Sequence, residues 1–530
     1  MPRPAGVVLR MCAWLLLGLL GAGGEGSAEA QWRRNPPQPP APEPGEPAPP
    51  AAAVCGALTA AEVNGLILSA AASVNFTTLA VAVVDRSGNV LGVYVQGSPS
   101  LQVQDQAVGL ARTGAFFSNG QAPLSSRTVR FISGLHFPPG IARTPNAALY
   151  GIENTNRGCD LNVTWLPGQF LPRATSLNGL PCSAFDTSGC GTGPVTGKVV
   201  DLSGNPKDTN ASAVNPGGLP VFRGTDLIGG IGVAGVPAGQ IDAAEFAAFS
   251  AFSGGLTPFP SPLPEPQVVF IDGIRLPFVR QTRRPSGVTP GVAAGSFVVA
   301  PVPGGCAPDG YLVGPMAGSN LSLSEVQTIV QQAIDAANRT RAVIRLPLGQ
   351  KTKMVIAVGD VDGKVLALYR MPDATVFSVD VAVAKARNVA YFSSALGAAD
   401  VSEVPFGTAI SNRTLSFGGQ PLFPSGIDGS GPGPFFDLFV NDTLRPCSQG
   451  FAPPLANQNG IVFFAGSLPL YKGNALAGGL GVSGDGVEQD DYVTFLGAAG
   501  FLPPKSLWAD NHFVSGVRLP FLKFPRNPEQ

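Results

Sequence analysis

The sequence predicts an α+β fold that occurs twice along one chain. The octapeptide GIRLPFVR, Gly273 to Arg280, returns near the end as GVRLPFLK, Gly516 to Lys523, and self-similarity at a spacing far above that of a solenoid marks a duplicated domain. In both halves, apolar runs broken by short Gly-containing turns alternate with helical patterns. That argues for antiparallel hairpins with helices interposed rather than a parallel doubly wound sheet. A chain of 530 residues, 44% hydrophobic and 13% charged, also suffices for more than one core.

The halves match element by element. LTAAEV (Leu58 to Val63) corresponds to LSLSEV (Leu321 to Val326), and Thr59 and Ser322 stand three residues before Glu62 and Glu325, a capping box that opens a helix. Val63, Leu66, Ile67, Ala70, Ala71 and Val74 repeat at helical spacing, as do Val326, Ile329, Val330, Ala333, Ile334 and Ala337, so each helix lays an apolar stripe on a core. LAVAVVDRSGNVLGVYV and MVIAVGDVDGKVLALYR then read as hairpins that turn at Asp85–Gly88 and Asp360–Gly363. A second helix follows, with Asp105 to Arg112 matching Asp380 to Arg387. Next come RTVRF and RTLSF at Arg127 and Arg413, and FPPGI and FPSGI at Phe137 and Phe423. LPVFRGTDLIGGIGVAG and LPLYKGNALAGGLGVSG, from Leu219 and Leu468, predict another hairpin. A last helix and the Arg-Leu-Pro-Phe element at Arg275 and Arg518 close each half.

The flanks read differently. Arg3 and Arg10, a short apolar run from Met11 to Gly21, and small residues at Ala28 and Ala30 make residues 1–30 a secretory signal peptide. Residues 31–54 are a Pro-rich tether without the apolar side chains that ordering needs. The expected domains are 55–282, with an insertion near 177–216, and 306–530, joined by a Gly/Pro-rich linker at 283–305. No later stretch supplies about 20 uncharged apolar residues, so no membrane span is expected in the mature chain, which is placed outside the cytoplasm, secreted or periplasmic. A net charge of −1 with no basic cluster gives no reason to expect nucleic acid as a partner.

Six cysteines follow the signal peptide, enough for three disulfides in an exported protein. Cys55 and Cys306 both precede a first helix, and Cys159 and Cys447 both follow the FPxGI element. The symmetric scheme is therefore Cys55 with Cys159, Cys306 with Cys447, and Cys182 with Cys190. Sequons occur at Asn75, Asn162, Asn210, Asn320, Asn338, Asn412 and Asn441, expected at the surface where they are glycosylated; Asn75 and Asn338 also read as helix C-terminal caps.

Little in the chain points to catalysis. Gly230 to Gly235 and Gly479 to Gly484 match G-x-G-x-x-G, but they lie in the second strand of a hairpin and open no helix, so they read as close-approach positions rather than a dinucleotide site. Only His136 and His512 are available, which excludes a three-histidine metal centre, and no nucleophile elbow accompanies them. Asp105 with Arg112, and Asp380 with Arg387, read as helix-surface or intramolecular pairs.

Each half resembles the GlcG/HbpS-like family of small haem-binding-type domains, also found at the C-terminus of PduO proteins. The resemblance rests on the AVAVVD and VIAVGD strands, on AVAKAR at Ala382 with a weaker AVGLAR at Ala107, and on LPLYKGNALAGGLGVSGDGVEQD; the first half lacks the GEQD-like ending. It implies a profilin-like fold, a central antiparallel sheet with helices on its faces, and haem or another planar small ligand as guest. Axial ligation needs a His, Met, Cys or Tyr aimed into an apolar slot. His136 and Tyr150 in the first half are the candidates, with Leu422 at the place of His136 in the second. Glu488, Gln489 and Asp490 match the family's acidic signature and either line the ligand cleft or cap the last helix at its positive end. The expected function is an exported, non-enzymatic binding protein. The alternative is a structural or interaction module of the cell exterior, in which the repeats pair with each other or form a homo-oligomer.

Overall fold

The computed structural model describes residues 56–135, 149–152, 155, 214–424, 427, 430–444, 449–451 and 457–530. In the first half, helix α1 (Ala60–Ser73) leads into strands β1 (Leu79–Asp85) and β2 (Val90–Gln96), helix α2 (Leu101–Phe117) and the short α3 (Ser126–Arg130). Strands β3 (Gly218–Arg223) and β4 (Asp226–Ala234), helix α4 (Asp242–Phe249), strand β5 (Leu256–Thr257) and a two-stranded hairpin, β6 (Phe270–Ile271) and β7 (Ile274–Arg275), complete it. Strand β8 (Ser296–Val299) follows. The second half runs β9 (Gly310–Val313), α5 (Leu323–Arg339), β10 (Val355–Gly359), β11 (Val365–Arg370), α6 (Ser378–Phe392), α7 (Asn412–Gly418), α8 (Phe436–Leu444), β12 (Ser467–Lys472), β13 (Ala475–Ser483), α9 (Val487–Gly497) and the hairpin β14 (Phe513–Val514) and β15 (Val517–Arg518).

The first sheet is ordered β5-β3-β4-β1-β2-β8 and the second β12-β13-β10-β11-β9. Their central four strands therefore have one topology, and every pairing is antiparallel. Both expected capping boxes form, Thr59 with Glu62 and Ser322 with Glu325. The hairpins that gave the duplication away are also alike: Asp272 and Ser515 turn at φ 50° and 51°, followed by Gly273 and Gly516 at 78° and 77°, the left-handed pair that a two-residue hairpin turn requires.

Strand β1 is buried along its whole length because both faces are covered. Leu79, Val81 and Val83 join the cluster under α1 and α4, while Ala80, Ala82 and Val84 join the one under α2. Alternation with period two thus feeds two different cores. The strand glycines let α2 and α6 lie against their sheets. A Cβ on Gly232 would stand 2.1 Å from the Ala107 carbonyl oxygen, and one on Gly481 2.1 Å from that of Ala382. This is the packing role expected for both G-x-G-x-x-G stretches.

The segment expected as a linker, 283–305, does more than connect. Its Ser296–Val299 pairs with β2, and Phe297 meets Tyr94 edge to face at 5.5 Å, covering a sheet edge that would otherwise stand open. Cys306, assigned to the second domain, sits against the first: Gly304 donates to the Leu58 carbonyl at 2.8 Å and Gly305 to Asp85 Oδ2 at 3.1 Å. Cys306 is disulfide-bonded; Cys55, Cys159, Cys182, Cys190 and Cys447 lie outside the described residues. Three further expectations are corrected. Asn412 is fully buried, its amide donating to Asn388 Oδ1, so that sequon is not a surface position. The C-terminal caps of α1 and α5 are Val74 and Thr340, not Asn75 and Asn338. Arg112 and Arg387 are buried, not on a helix surface, and tie their helices to the hairpin turns by donating to Gly88 and Gly363 carbonyls at 2.9 and 2.8 Å. Among the described residues no helix is long and apolar enough to cross a membrane.

Residues 55–530 form one compact unit, and the two repeats share an apolar cluster between α2 and α6. Phe117 and Phe377 stack at 4.2 Å across this junction. Asn119 donates to the Ile344 carbonyl at 3.0 Å, and Arg345 bridges Asp373, buried Asp485 and, at 3.2 Å, Gln121 of the first repeat. All fifteen residues of α6 are buried as a result.

Candidate functional site

Helix α9 begins at Gly486, whose φ of 144° suits glycine and leaves the helix without a side-chain N-cap. Its first turn carries the four acidic or amide residues Glu488, Gln489, Asp490 and Asp491, and each has a different fate. Asp491 is fully buried and receives the Arg413 guanidinium and the backbone N–H groups of Gly466 and Lys523. Glu488 lies toward solvent, 3.0 Å from Lys523 Nζ. Gln489 is buried, and its Oε1 accepts no hydrogen bond from any described residue.

Asp490 is the unusual one. Its Oδ2 accepts from Lys385 Nζ at 2.9 Å, while its buried Oδ1 accepts nothing from the described residues. Lys385 has no exposed surface; it also donates to the Val482 carbonyl at 2.8 Å and stands 5.0 Å over the Phe464 ring. Burial pushes the Asp490 carboxyl up to about 7, against the pull of Lys385, with Asp491 and Asp485 adding to the rise. Burial lowers Lys385, against the pull of Asp490. Burial thus weakens the charged form of both partners, and each is held charged chiefly by the other.

A cavity opens beside this pair, at the junction of the repeats. It encloses about 830 Å³, including the part open to solvent, with Phe117, Ile132 and Ile271 from the first repeat and Phe377, Phe464 and Val487 from the second on its walls. Asp490 and Glu488 belong to the wall as well. Mostly apolar walls with a few polar groups are the usual chemistry of small-molecule sites.

The expected site residues distribute unevenly around it. Glu488 and Asp490 line the cavity, and Gln489 lies between them in sequence. Tyr150, expected as an axial ligand, is fully buried and stacks on Phe439 of the second repeat at 4.7 Å; it is absent from the cavity wall, although Leu149 and Ile152 are on it. An aromatic side chain in an irregular segment found a core to fill once the other repeat was present. His136 lies outside the described residues. His512 is half-buried.

Lys385 was within reach of sequence reasoning. Arg112 and Arg387 make the same turn contact, and Arg127 Nε to buried Glu245 repeats Arg413 Nε to Asp491, each carboxylate also accepting a backbone N–H that follows the Arg-Leu-Pro-Phe element, from Arg280 or Lys523. Counted from these anchors, Lys385 corresponds to Leu110 and Asp490 to Ala244; a Cβ on Gly217 would meet that of Ala244 just as one on Gly466 would meet that of Asp490. One repeat thus holds an apolar pair where the other holds a buried ion pair. Replacing such an ion pair by apolar side chains is commonly neutral or stabilising, so the fold does not need Lys385 and Asp490.

The fold is thus an α+β repeat in which a helix-covered antiparallel sheet occurs twice. Residues 321–499, from the capping box of α5 to the end of α9, match the family model described as "Haem degrading protein HbpS-like", and the stretch that is similar to this family contains both Lys385 and Asp490. Among solved structures, a PduOC haem complex is 22% identical, covering 34% of this chain and 94% of its own, with a TM-score of 0.23. A Klebsiella pneumoniae protein, ORFY, is 20% identical over 34% of this chain and 89% of its own, also at 0.23. No curated protein matches the chain.

Haem, which the matched family's description brings in, can be tested against the walls. The phenylalanines suit a flat apolar ring. The described wall holds no His, Met, Cys or Tyr for iron and no Lys or Arg for propionates, so it fits the ring and not the metal or the acid groups.

Proposed function

We propose that this chain is an exported, non-catalytic binding protein built of two HbpS-like domains, which holds a planar apolar ligand in the cavity between them. The observation that carries this reading is the cavity itself, walled by Phe117, Phe377 and Phe464 and bordered by the Lys385 and Asp490 pair. Binding in the junction also gives the duplication a purpose, since neither repeat alone supplies both walls. Haem is the first guest to try because of the family to which residues 321–499 are similar.

The test is a haem titration of the purified full-length chain, followed by gel filtration. One equivalent with a Soret band that travels with the protein supports the reading. Loss of that band in His136→Ala would assign the iron to His136, and an unchanged band would assign it to another residue. No retained haem, together with no binding of neutral planar aromatics, would overturn the ligand-binding reading in favour of a structural module.

A further inference from the structure

We propose that the inner wall of the cavity selects apolar molecules that present a hydrogen-bond donor, an N–H or O–H, to Asp490, over molecules that present an anion. This rests on the ligand-binding reading above and names the ligand class for the same site.

Four observations lead there. Asp490 Oδ1 is buried at a cavity wall and accepts no hydrogen bond from the described residues; leaving such an acceptor unmet is unfavourable. The first repeat avoids that cost with Leu110 and Ala244 at the two equivalent positions, so the polar pair is not a demand of the fold. The remaining polar groups on the wall are also acceptors: Asp272 and Glu488 are carboxylates, and the Ser483 hydroxyl already donates to Ser378 Oγ at 3.0 Å. No cationic side chain lines the described wall. A ligand donor meets an empty acceptor in apolar surroundings, where hydrogen bonds to charged groups are strongest. A ligand anion meets like charge there instead.

The uncapped amino end of α9 also reaches the cavity, through Gly486 and Val487, and such an end favours anions. Here Glu488 and Asp490 occupy its first turn. The helix end is already met by the chain's own carboxylates, which leaves donor recognition as the net preference.

Two dyes of one skeleton provide the test: N-phenyl-1-naphthylamine, neutral with one N–H, and 1-anilinonaphthalene-8-sulfonate, which adds an anion. Both are titrated by fluorescence into the full-length chain at pH 8, above the Asp490 value of about 7. The same titrations are run on the double variant Lys385→Leu/Asp490→Ala, which copies the pair of the first repeat. The native chain is expected to bind the neutral amine at one site about tenfold more tightly than the sulfonate. The double variant is expected to lose about tenfold in amine affinity, the worth of one charge-assisted hydrogen bond, with little change for the sulfonate. Equal amine affinity in the two proteins, or preference of the native chain for the sulfonate, would overturn the inference and leave the ligand-binding reading standing. Binding of neither dye would overturn both. The preference measured in the native chain decides the matter even where the variant does not fold.

Discussion

The two repeats share a sheet order, two capping boxes, two Arg-to-turn ties and two hairpins of nearly identical torsion, yet they differ where α2 and α6 meet their sheets. The first repeat has Leu110 and Ala244, and the second has Lys385 and Asp490. Duplication within one chain supplies a control that single domains lack. What both copies keep belongs to the fold, and what one copy replaces by apolar side chains does not. By that measure the glycines under α2 and α6 are architecture, and the buried ion pair is chemistry.

The comparison breaks most visibly when one charge is removed. Asp490→Ala leaves the Lys385 ammonium buried with Val482 O as its remaining hydrogen-bond partner, and a loss of about 3–5 kcal/mol in urea unfolding is expected. The smaller changes test what the copies hold in common. Gly232→Ala and Gly481→Ala each drive a Cβ to 2.1 Å from a helix carbonyl; each should cost at least about 1–3 kcal/mol, with similar values in the two repeats.

Acid–base behaviour sharpens the difference between the copies. Folding raises the Asp490 pKa from 3.8 to about 7, so between those values the native chain holds a proton that the unfolded chain has lost. The contribution of this group to stability is therefore present below pH 3.8 and fades as pH climbs toward 7, at up to about 1.4 kcal/mol per pH unit. Lys385, lowered by burial, acts in the opposite sense, gaining stability as pH rises through its window below 10.5. Urea midpoints of the native chain and the Leu/Ala double variant, compared from pH 4 to 7, should diverge in this direction; parallel curves would show that Asp490 does not titrate as its surroundings dictate. The smallest effect is expected at the caps, where Thr59→Ala and Ser322→Ala should each cost about 1 kcal/mol, equally in both copies.

Much of this was legible in the sequence because it was local or repeated. The capping boxes, the glycine turns and the paired hairpins need only neighbouring residues, and the recurrence of GIRLPF as GVRLPF fixed the equivalences. The packing of Tyr150 was not legible because its place is set by Phe439, far along the chain in the other repeat. The strand at Ser296–Val299 hid in a Gly/Pro-rich stretch because a sheet edge, not local propensity, orders it. The cavity was out of reach for the same reason: its walls come from both repeats, and residues such as Ile344 sit in a loop with no counterpart in the first. Lys385 was in plain view, as a lysine in AVAKAR where its twin reads AVGLAR, but its meaning appears only when Asp490 is seen beside it.

The claim that the buried pair serves ligand chemistry and not the fold is tested most directly by the unfolding free energy of Lys385→Leu/Asp490→Ala. With the apolar pair of the first repeat installed in the second, stability at pH 7 should equal or exceed that of the native chain to within about 1 kcal/mol, while either single change is strongly destabilising. A double variant as unstable as the single ones would mean that Lys385 and Asp490 hold the second repeat together, and the contrast between the copies would then concern folding alone.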